Sequence, residues 1–464
     1  MPPSSRLRHG SAIIVALTIQ LSSAAFLRPT RADEAASAVP RYQLQVGQEL
    51  KYKGSSELKY ADGAHGFKTD WQAWVVRKNA DGSWRVVMRS SQSFWMKREG
   101  KEQGDGQVQA TVAYCDLHPD GRASVNDSFN HRFEPSALFP RLPEDEAQAK
   151  EGWSARGYDD EDARTEFKPL GGTSDADLVF EGIPQSTMGL IYVSSQRSKY
   201  DFDRKRGLIK RIDSENSQGY GFNGKGTGVT ELIAIEPHGA DWAKRFGDEA
   251  DLYFAANKTY QDLQAKASKS VGVIDEALDQ AEKTLKEARA KLTFAPLQEQ
   301  VDEQLKRHAA LRSYYKQEAR NRAEVIGKDA AEWDAVDLDG KAHSLKGYRG
   351  KVVILDFWNR GCGWCIRAMP QMKQLADDFK GEPVAVLGMN TDGDETDARF
   401  VAETMKLNYP TVKAQGVPEK YNVQGFPTLI VVDQEGKVAD IHVGYSATLR
   451  DEVSRIIRGL LAKK

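Results

Sequence analysis

Two cysteines separated by two residues, Cys362 and Cys365, are the residues of this chain whose types and spacing most clearly indicate chemistry. They follow an apolar run at 352–357 and precede a helical pattern at 366–379. Cys362 is therefore expected at a helix N-terminus, where unpaired backbone N–H groups and the helix dipole stabilise a thiolate. Such a position lowers a cysteine pKa from about 8.5 toward about 7 or below. The spacing predicts thiol–disulfide exchange.

Three other interpretations of the cysteine pair are weaker, and no metal or other cofactor is expected. Zinc would need two further ligands, and the chain has only one other cysteine, Cys115. Covalent haem would need a histidine directly after the second cysteine, where Ile366 stands. A purely structural disulfide would stabilise little, because the loop it closes is short. Cys115 itself lies in a predicted strand and is expected to be a buried core thiol.

Asp356 is a third candidate catalytic residue, because it is a lone carboxylate inside the apolar run. Burial would raise its pKa, which suits proton exchange with Cys365. The alternative is a solvated carboxylate at an edge. In exchange chemistry Cys362 is the expected attacking thiol, and Cys365 would resolve the mixed disulfide. Arg360 either adds positive potential near Cys362 or is a solvated surface side chain.

Several motifs of the C-terminal region occur together in one known family. They are Asp356-Phe357-Trp358 before the cysteines, Pro370 in the following helix, Gly425-Phe426-Pro427-Thr428, and a turn at 434–437. With them, residues 328–464 resemble the thioredoxin superfamily. A hairpin pattern at 333–341 and an inserted helix between 392 and 410 resemble its secreted TlpA/ResA-type oxidoreductases. The resemblance implies a C-terminal α/β thioredoxin-like fold, protein disulfide or dithiol substrates, and an upstream redox partner.

The resemblance also implies a substrate-binding surface around the cysteines, formed by Trp358, Gly363, Trp364, Phe426 and Pro427. A cis bond before Pro427 would aim the Phe426 backbone at a substrate peptide for strand-like pairing, whereas a trans turn is the alternative. The dipeptide between the cysteines is Gly-Trp, whereas ordinary thioredoxin has Gly-Pro, and Gly388 stands where thioredoxin has a lysine near its buried acid. Since the dipeptide helps to set the reduction potential, the direction of electron flow stays open.

The rest of the chain predicts a multidomain protein. Its 464 residues suffice for two to four domains, and 65 basic against 67 acidic residues indicate no nucleic-acid partner. Residues 33–239 are predicted to form an antiparallel β-rich domain, curled as a half-barrel, with Asp-Gly turn signals at 62–63, 81–82 and 120–121. A glycine-rich stretch at 219–227 resembles a phosphate-binding loop, but a strand pattern follows it, so a hairpin turn is expected.

Residues 240–326 are predicted to form a central α-helical hairpin that links the β-rich domain to the thioredoxin-like domain at 327–464. A heptad seam runs from Ile274 to Leu292, with Leu278, Ala281, Leu285 and Ala288 between them. Pro296 interrupts the pattern, and a second apolar stripe begins at Leu297. The charged residues between the stripes are expected to be solvated faces.

Residues 1–32 are predicted to be a secretory signal peptide. Arg6 and Arg8 precede an uncharged stretch at 11–27, and a small-residue site ends at Ala32. The alternative is an uncleaved membrane anchor, for which the 17-residue stretch is marginal in length. We expect a mature protein in the periplasm or cell envelope, without a transmembrane span.

The sequence therefore predicts an exported thiol-disulfide oxidoreductase that exchanges the Cys362–Cys365 dithiol or disulfide with protein substrates. The alternative is a non-catalytic envelope binding protein. Its β-rich domain would bind a lipid, glycan or protein, and its thioredoxin fold would be a docking module. Both cysteines, together with Asp356 and Pro427, favour the enzyme, because a docking module has no need of two cysteines.

Overall fold

The computed structural model describes residues 39–61, 63–98, 101–125, 135–156, 164–171, 176–185, 193–218, 224–269 and 271–462. The chain divides into residues 1–38 and one compact unit, 39–464. The predicted signal peptide and the first half of the glycine-rich stretch, 219–223, lie outside the described residues. Within the described ranges, every helix is too short or too polar to cross a lipid bilayer.

The N-terminal part of the compact unit is one antiparallel sheet of eleven strands. Its strands are β1 Gln48–Tyr60, β2 Gly63–Lys78, β3 Trp84–Arg98, β4 Lys101–Leu117, β5 Ala123–Val125, β6 Trp153–Arg156, β7 Arg164–Pro169, β8 Asp177–Gln185, β9 Val193–Asp203, β10 Leu208–Gln218 and β11 Gly224–Pro237. Two runs of sequential hairpins, β1 to β5 and β6 to β11, are joined where β1 pairs with β11. The predicted antiparallel β-rich domain is confirmed. The glycine-rich stretch indeed continues as strand β11, without a helix.

Turn chemistry and side-chain alternation explain how this sheet forms. Gly82 and Gly121, in two of the predicted Asp-Gly turns, have φ values of 85° and 83°, which favour glycine. Successive residues of β2 point to opposite faces, so Val75 joins one core and Trp74 the other. The first core also contains Cys115, which is fully buried as predicted. Trp153 of edge strand β6 reaches the same core, so the sheet curls around it.

Helices cover the other face of the sheet. A short helix, α1 Glu146–Glu151, precedes β6, and three longer helices follow β11: α2 Ala240–Lys269, α3 Ile274–Arg289 and α4 Ala295–Val325. The predicted heptad seam is buried along α3, and α4 begins beside Pro296. The structure differs from the predicted hairpin because residues 240–269 form a helix of their own. This helix packs Phe246 and Tyr253 against Trp74 of the sheet and was missed because its buried stripe mixes aromatic and small residues.

The C-terminal part is an α/β domain with a five-stranded sheet in the order β16-β15-β14-β17-β18. After a hairpin of β12 Asp334–Val336 and β13 Ala342–Ser344 come β14 Val352–Trp358, α5 Gly363–Asp378, β15 Val384–Asn390, α6 Glu395–Thr404, β16 Thr411–Lys413, β17 Thr428–Val432, β18 Val438–Val443 and α7 Leu449–Leu461. Strands β14 to β16 are parallel, whereas β17 and β18 are antiparallel to their neighbours. The predicted thioredoxin-like domain, its opening hairpin and its inserted helix are confirmed.

Helix α4 passes directly into this domain. The backbone N–H of Gly327 donates to Val438 at 2.8 Å, and Val438 donates to Lys328 at 2.9 Å. The guanidinium of Arg322, in the last turn of α4, lies 2.6 Å from the Asp440 carboxylate of β18. The junction is therefore held by backbone pairing and by a half-buried ion pair, which fix the end of α4 against the edge of the sheet.

Candidate active site

The cysteines lie where the central strand of the C-terminal sheet meets a helix. All seven residues of β14 are buried, because both of its edges are paired and both faces are covered. The chain leaves this strand after Trp358 and enters α5 at Gly363, with Cys362 as the N-cap residue. Cys362 and Cys365 are joined by a disulfide, with Cα atoms 5.3 Å apart. The strand-to-helix position predicted for the pair is the position found.

The two cysteines differ in surroundings. Cys362 is partly exposed, whereas Cys365 is buried one turn into the helix. The backbone N–H of Cys365 donates to Sγ of Cys362 at 3.1 Å, as a side chain does at a helix N-cap. A thiolate at this position would accept the same hydrogen bond and face the positive end of the helix dipole. The geometry therefore favours ionisation of Cys362 over that of Cys365.

We expect iodoacetamide to modify Cys362 of the reduced protein at pH 6 more than about tenfold faster than Cys365, because only the thiolate of an accessible cysteine reacts. Mass spectrometry of peptides gives both rates. Cys115 is an internal control, since burial raises the pKa of its thiol and it should react only after unfolding. Faster modification of Cys365 would reverse the assignment of the attacking thiol.

Asp356 lies in β14, two residues before the end of the strand, and only 2% of its surface is exposed. Burial raises the pKa of its carboxyl from an ordinary 3.8 to about 7. Desolvation disfavours the charged form, and no neighbouring charge among the described residues offsets that effect. A carboxyl with this pKa is partly ionised near neutral pH, so it can both accept and return a proton.

Polar atoms without hydrogen-bond partners lie near Asp356, on the same side of the sheet. Gly388 of β15 is the register partner of Asp356, and Thr411 of β16 is the next residue across. A Cβ atom on Gly388 would lie 2.9 Å from Nε1 of Trp358 and 3.2 Å from the ring of Tyr409. Among the described residues, Trp358 Nε1, Tyr409 Oη and Thr411 Oγ1 have no hydrogen-bond partner. Gly388 therefore leaves the space that these side chains fill beside the carboxyl, where thioredoxin has its lysine.

The loop before β17 forms the opposite wall of the site. The Phe426–Pro427 peptide bond is cis, as the resemblance predicts. The Pro427 carbonyl accepts a hydrogen bond of 2.8 Å from the N–H of Gly444, and the Thr428 hydroxyl donates to the Gly425 carbonyl at 2.7 Å. Phe426 packs against the apolar cluster that contains both cysteines. The structure thus places the predicted cis-proline loop against the apolar cluster that includes Cys365.

The two tryptophans expected at the substrate-binding surface occupy different environments. Trp364, between the cysteines, is 45% exposed and stacks on Tyr445 with ring centroids 5.5 Å apart. Trp358 has no exposed surface and packs behind the disulfide against Cys365. The expected substrate contact of Trp358 is corrected here. Since side chains two apart in a strand share a face, Trp358 points into the same covered face as Asp356.

Arg360 fits neither of the two alternatives that the sequence offered. Its guanidinium is 2.7 Å from the Asp397 carboxylate of α6 and lies 4.3 Å from the ring centroid of Phe400. Its backbone N–H donates to the Asp392 carboxylate at 2.9 Å. The positive charge is therefore paired, and Arg360 ties the inserted helix to the loop before Cys362.

Sequence reasoning missed three residues of this site. They are Tyr409 beside Asp356, Tyr445 under Trp364, and Asp397 on Arg360. Tyr445 carries a weak signal, since it follows a glycine directly after the last strand. Among the described residues, no group of three or more His, Cys, Asp or Glu side chains could hold a metal ion.

Comparison with known proteins places the same part of the chain among redox proteins. The sequence profile of the AhpC/TSA family matches residues 326–441. Thioredoxin-like protein YneN of Bacillus subtilis is 33% identical over 122 residues, 25% of this chain and 71% of that protein. Thiol-disulfide oxidoreductase ResA of Geobacillus kaustophilus is 35% identical over 124 residues, 26% of this chain and 71% of that protein. Among solved structures, we compare the thioredoxin domain of a thiol-disulfide oxidoreductase from Bacteroides vulgatus. It is 31% identical to this chain, the match covers 29% of this chain and 98% of the solved one, and the TM-score is 0.27.

Proposed function

Because the chain belongs, through its C-terminal domain, to the thioredoxin-like thiol-disulfide oxidoreductases of the ResA type, we propose that it exchanges the Cys362–Cys365 dithiol and disulfide with protein substrates. The observation that carries this proposal is the hydrogen bond of 3.1 Å from the Cys365 N–H to Sγ of Cys362. This hydrogen bond lies at a helix N-terminus, and its acceptor is the sulfur of the more exposed cysteine. A backbone donor aimed at that sulfur stabilises the thiolate, the species that attacks a disulfide.

In the reducing direction the reaction has two steps. The Cys362 thiolate attacks one sulfur of a substrate disulfide, so that a mixed disulfide forms and the other substrate sulfur leaves as a thiolate. The Cys365 thiol then loses its proton and attacks Sγ of Cys362. The Cys362–Cys365 disulfide forms, and the second substrate sulfur leaves. Two electrons have passed to the substrate, and the enzyme is oxidised.

Asp356 takes the proton that Cys365 loses in the second step. A buried thiol ionises poorly because burial disfavours the charged form, so a nearby base is needed. With a pKa of about 7, the Asp356 carboxylate is a stronger base than an ordinary aspartate and is still partly ionised at neutral pH. Because Asp356 removes the proton as Cys365 attacks, no isolated negative charge forms on the buried sulfur of Cys365.

All of these steps are reversible, so the disulfide form can equally oxidise a substrate dithiol. A cycle that reduces substrates needs an upstream dithiol donor to regenerate the enzyme, and a cycle that oxidises them needs a disulfide acceptor. The reduction potential of the Cys362–Cys365 couple against its partners sets the direction. Gly363, Trp364, Phe426 and Pro427 form the surface that a substrate peptide contacts. We assign Trp358 a packing role behind that surface.

The sheet and the three helices, residues 39–325, contribute substrate selection. A domain that binds a partner raises the local concentration of the partner's disulfide at the active site, to the order of mM for a short connection. Helix α4 supplies such a connection, because its end is fixed to β18 by Arg322 and Asp440. The N-terminal domain would then bind the substrate protein while Cys362 exchanges with its cysteine.

We expect the mature protein to begin near Asp33 and to be released into the periplasm or cell envelope, because the first 32 residues have the basic, apolar and small-residue order of a signal peptide. N-terminal sequencing of the exported protein measures this. An intact N-terminus recovered in the membrane fraction would show an uncleaved anchor instead.

The proposed activity is tested by capture of substrates. The Cys365→Ala variant keeps the attacking thiol and lacks the resolving one, so it should hold substrate proteins as mixed disulfides through Cys362. Absence of any such adduct in cells, with a folded and reduced variant, would favour the non-catalytic binding protein.

A further inference from the structure

A groove opens between the end of α4 and the loop that carries the cis-proline. We call it the linker groove; its walls include Tyr314, Asn321 and Val325 of α4, with Gly425, Ile441 and Val443 across from them. The cavity within it has a volume of about 130 Å³. One wall precedes the thioredoxin-like domain in sequence and the other lies within it. The groove therefore exists only because α4 docks on this domain.

Contacts within the chain hold the walls of the linker groove in place. Arg322 lines the groove and pairs with Asp440 at 2.6 Å, so the last turns of α4 cannot swing away from β18 without breaking this ion pair. The chain after α4 is bonded to Val438 through Gly327 and Lys328. A groove that is already formed costs a ligand less ordering entropy than one that must open.

The chemistry of the groove suits an apolar side chain. Ile441 and Val325 supply aliphatic walls, and Tyr314 and Val443, which are 51% and 46% exposed, add accessible apolar surface to them. Polar and charged side chains, among them Glu318, Asn321 and Gln424, also line the groove. A cavity of roughly 150 Å³ accepts a benzene molecule, so the volume here suits a single leucine, methionine or phenylalanine side chain.

The linker groove adjoins the cis-proline loop of the active site. Gly425 lines the groove and is followed immediately by Phe426 and the cis Pro427. Val443 lines it from the other side, and the next residue, Gly444, donates its N–H to the Pro427 carbonyl. A peptide that pairs with the Phe426 backbone advances about 3.3 Å per residue, so a residue a few positions from the reacting cysteine reaches the groove.

We propose that the linker groove binds one apolar side chain of an extended substrate peptide whose cysteine exchanges at Cys362. This proposal rests on the proposed function and adds a substrate class to it: disulfides within peptide segments that carry a large apolar residue near the cysteine. Selection arises from differential burial, since an alanine or aspartate at the same position leaves the cavity unfilled or desolvates a charge. The helix that precedes the redox domain thereby takes part in substrate choice.

The test uses full-length protein and peptides in which a cysteine is disulfide-linked to a fluorescent reporter thiol. Leucine, alanine or aspartate is placed in turn at each of the five positions on either side of the cysteine. At one position we expect leucine to raise kcat/KM about tenfold over alanine, and aspartate to lower it further. The Asn321→Trp variant, which fills the groove, should lose this preference. Equal rates for leucine and alanine at every position would overturn the proposal.

The matched control is Glu324→Trp, which adds the same side chain to an exposed position of α4 outside the groove. It should keep the leucine preference and reduce glutathione disulfide at the wild-type rate, and circular dichroism should show that Asn321→Trp is folded. A preference that survives in Asn321→Trp would overturn the groove while leaving the proposed function intact. Failure of the wild-type protein both to reduce these disulfides and to oxidise the corresponding thiols would instead refute the proposed function. A wild-type dimer that Asn321→Trp makes monomeric would assign the groove to a second copy and also overturn the proposal.

Discussion

The Cys365→Ala variant should complete the first half of the exchange and then stop, so that turnover of a disulfide substrate falls by at least about a hundredfold. Cys362 remains at the helix N-terminus and still forms the mixed disulfide, but the only other cysteine of the sequence, Cys115, is buried in the core of the β-sheet domain and cannot resolve it. The full-length Cys365→Ala protein, which keeps its N-terminal domain, should therefore hold a narrow set of envelope proteins as mixed disulfides that a reductant releases. Non-reducing electrophoresis followed by mass spectrometry identifies them.

Two variants separate this trapping from adventitious disulfides. Cys362→Ser combined with Cys365→Ala should form no adduct, because the remaining Cys115 is fully buried. Cys115→Ser combined with Cys365→Ala should form the same adducts as the single variant. Adducts that survive the loss of Cys362 but not of Cys115 would place the reactive thiol in the β-sheet domain and contradict the proposed site.

The features that the sequence predicts well are local ones. The apolar run, the two cysteines and the following helix occupy consecutive residues, so the position of Cys362 at a helix N-terminus follows from adjacent patterns. Burial of Asp356 follows from the same run. The alternation rule applied to Asp356 would also have placed Trp358 on the covered face, so that error was avoidable.

The features that the sequence misses depend on contacts between distant segments. Tyr409 reaches Asp356 across β15, and Asp397 meets Arg360 only because the inserted helix folds back on the cysteine loop. Asp-Gly turns predict hairpins, but they cannot predict that β1 pairs with β11 and joins two runs of strands into one sheet. The linker groove likewise requires α4 to dock on β18. Periodicity within a segment carries no information about which other segment it meets.

Replacing Asp356 by asparagine should slow the resolving step by about a hundredfold at neutral pH, because general-base catalysis of this kind contributes roughly 10² to 10⁴. In the wild-type protein the rate should rise as pH passes about 7, where the carboxyl ionises. The variant should lack that inflection, and the difference should shrink at higher pH as Cys365 ionises without help. Stopped-flow measurement of single turnovers between pH 5 and 9 resolves the step.

The same substitution should make the oxidised protein more stable, which a merely structural role for Asp356 does not predict. Between about pH 4 and 7 the folded protein holds the Asp356 proton and the unfolded chain does not, so the free energy of unfolding falls as pH rises through this window. A pKa raised from 3.8 to about 7 corresponds to roughly 4 kcal/mol above pH 7. Asp356→Asn should recover on the order of 2–4 kcal/mol at pH 8 and remove this pH dependence.

Asp337→Asn is the matched control for both measurements, since it also changes a buried aspartate to its isostere. Burial alone would raise the pKa of Asp337, but the hydrogen bonds of His343 at 2.8 Å and of two backbone N–H groups outweigh that effect and lower it. This variant should therefore lose stability and keep the wild-type pH profile of turnover. If Asp356→Asn also lost stability at pH 8 and kept the inflection near pH 7, the proton acceptor for Cys365 would have to be another group. A carboxyl that costs stability where it is ionised, and whose removal slows exchange, is retained for its chemistry.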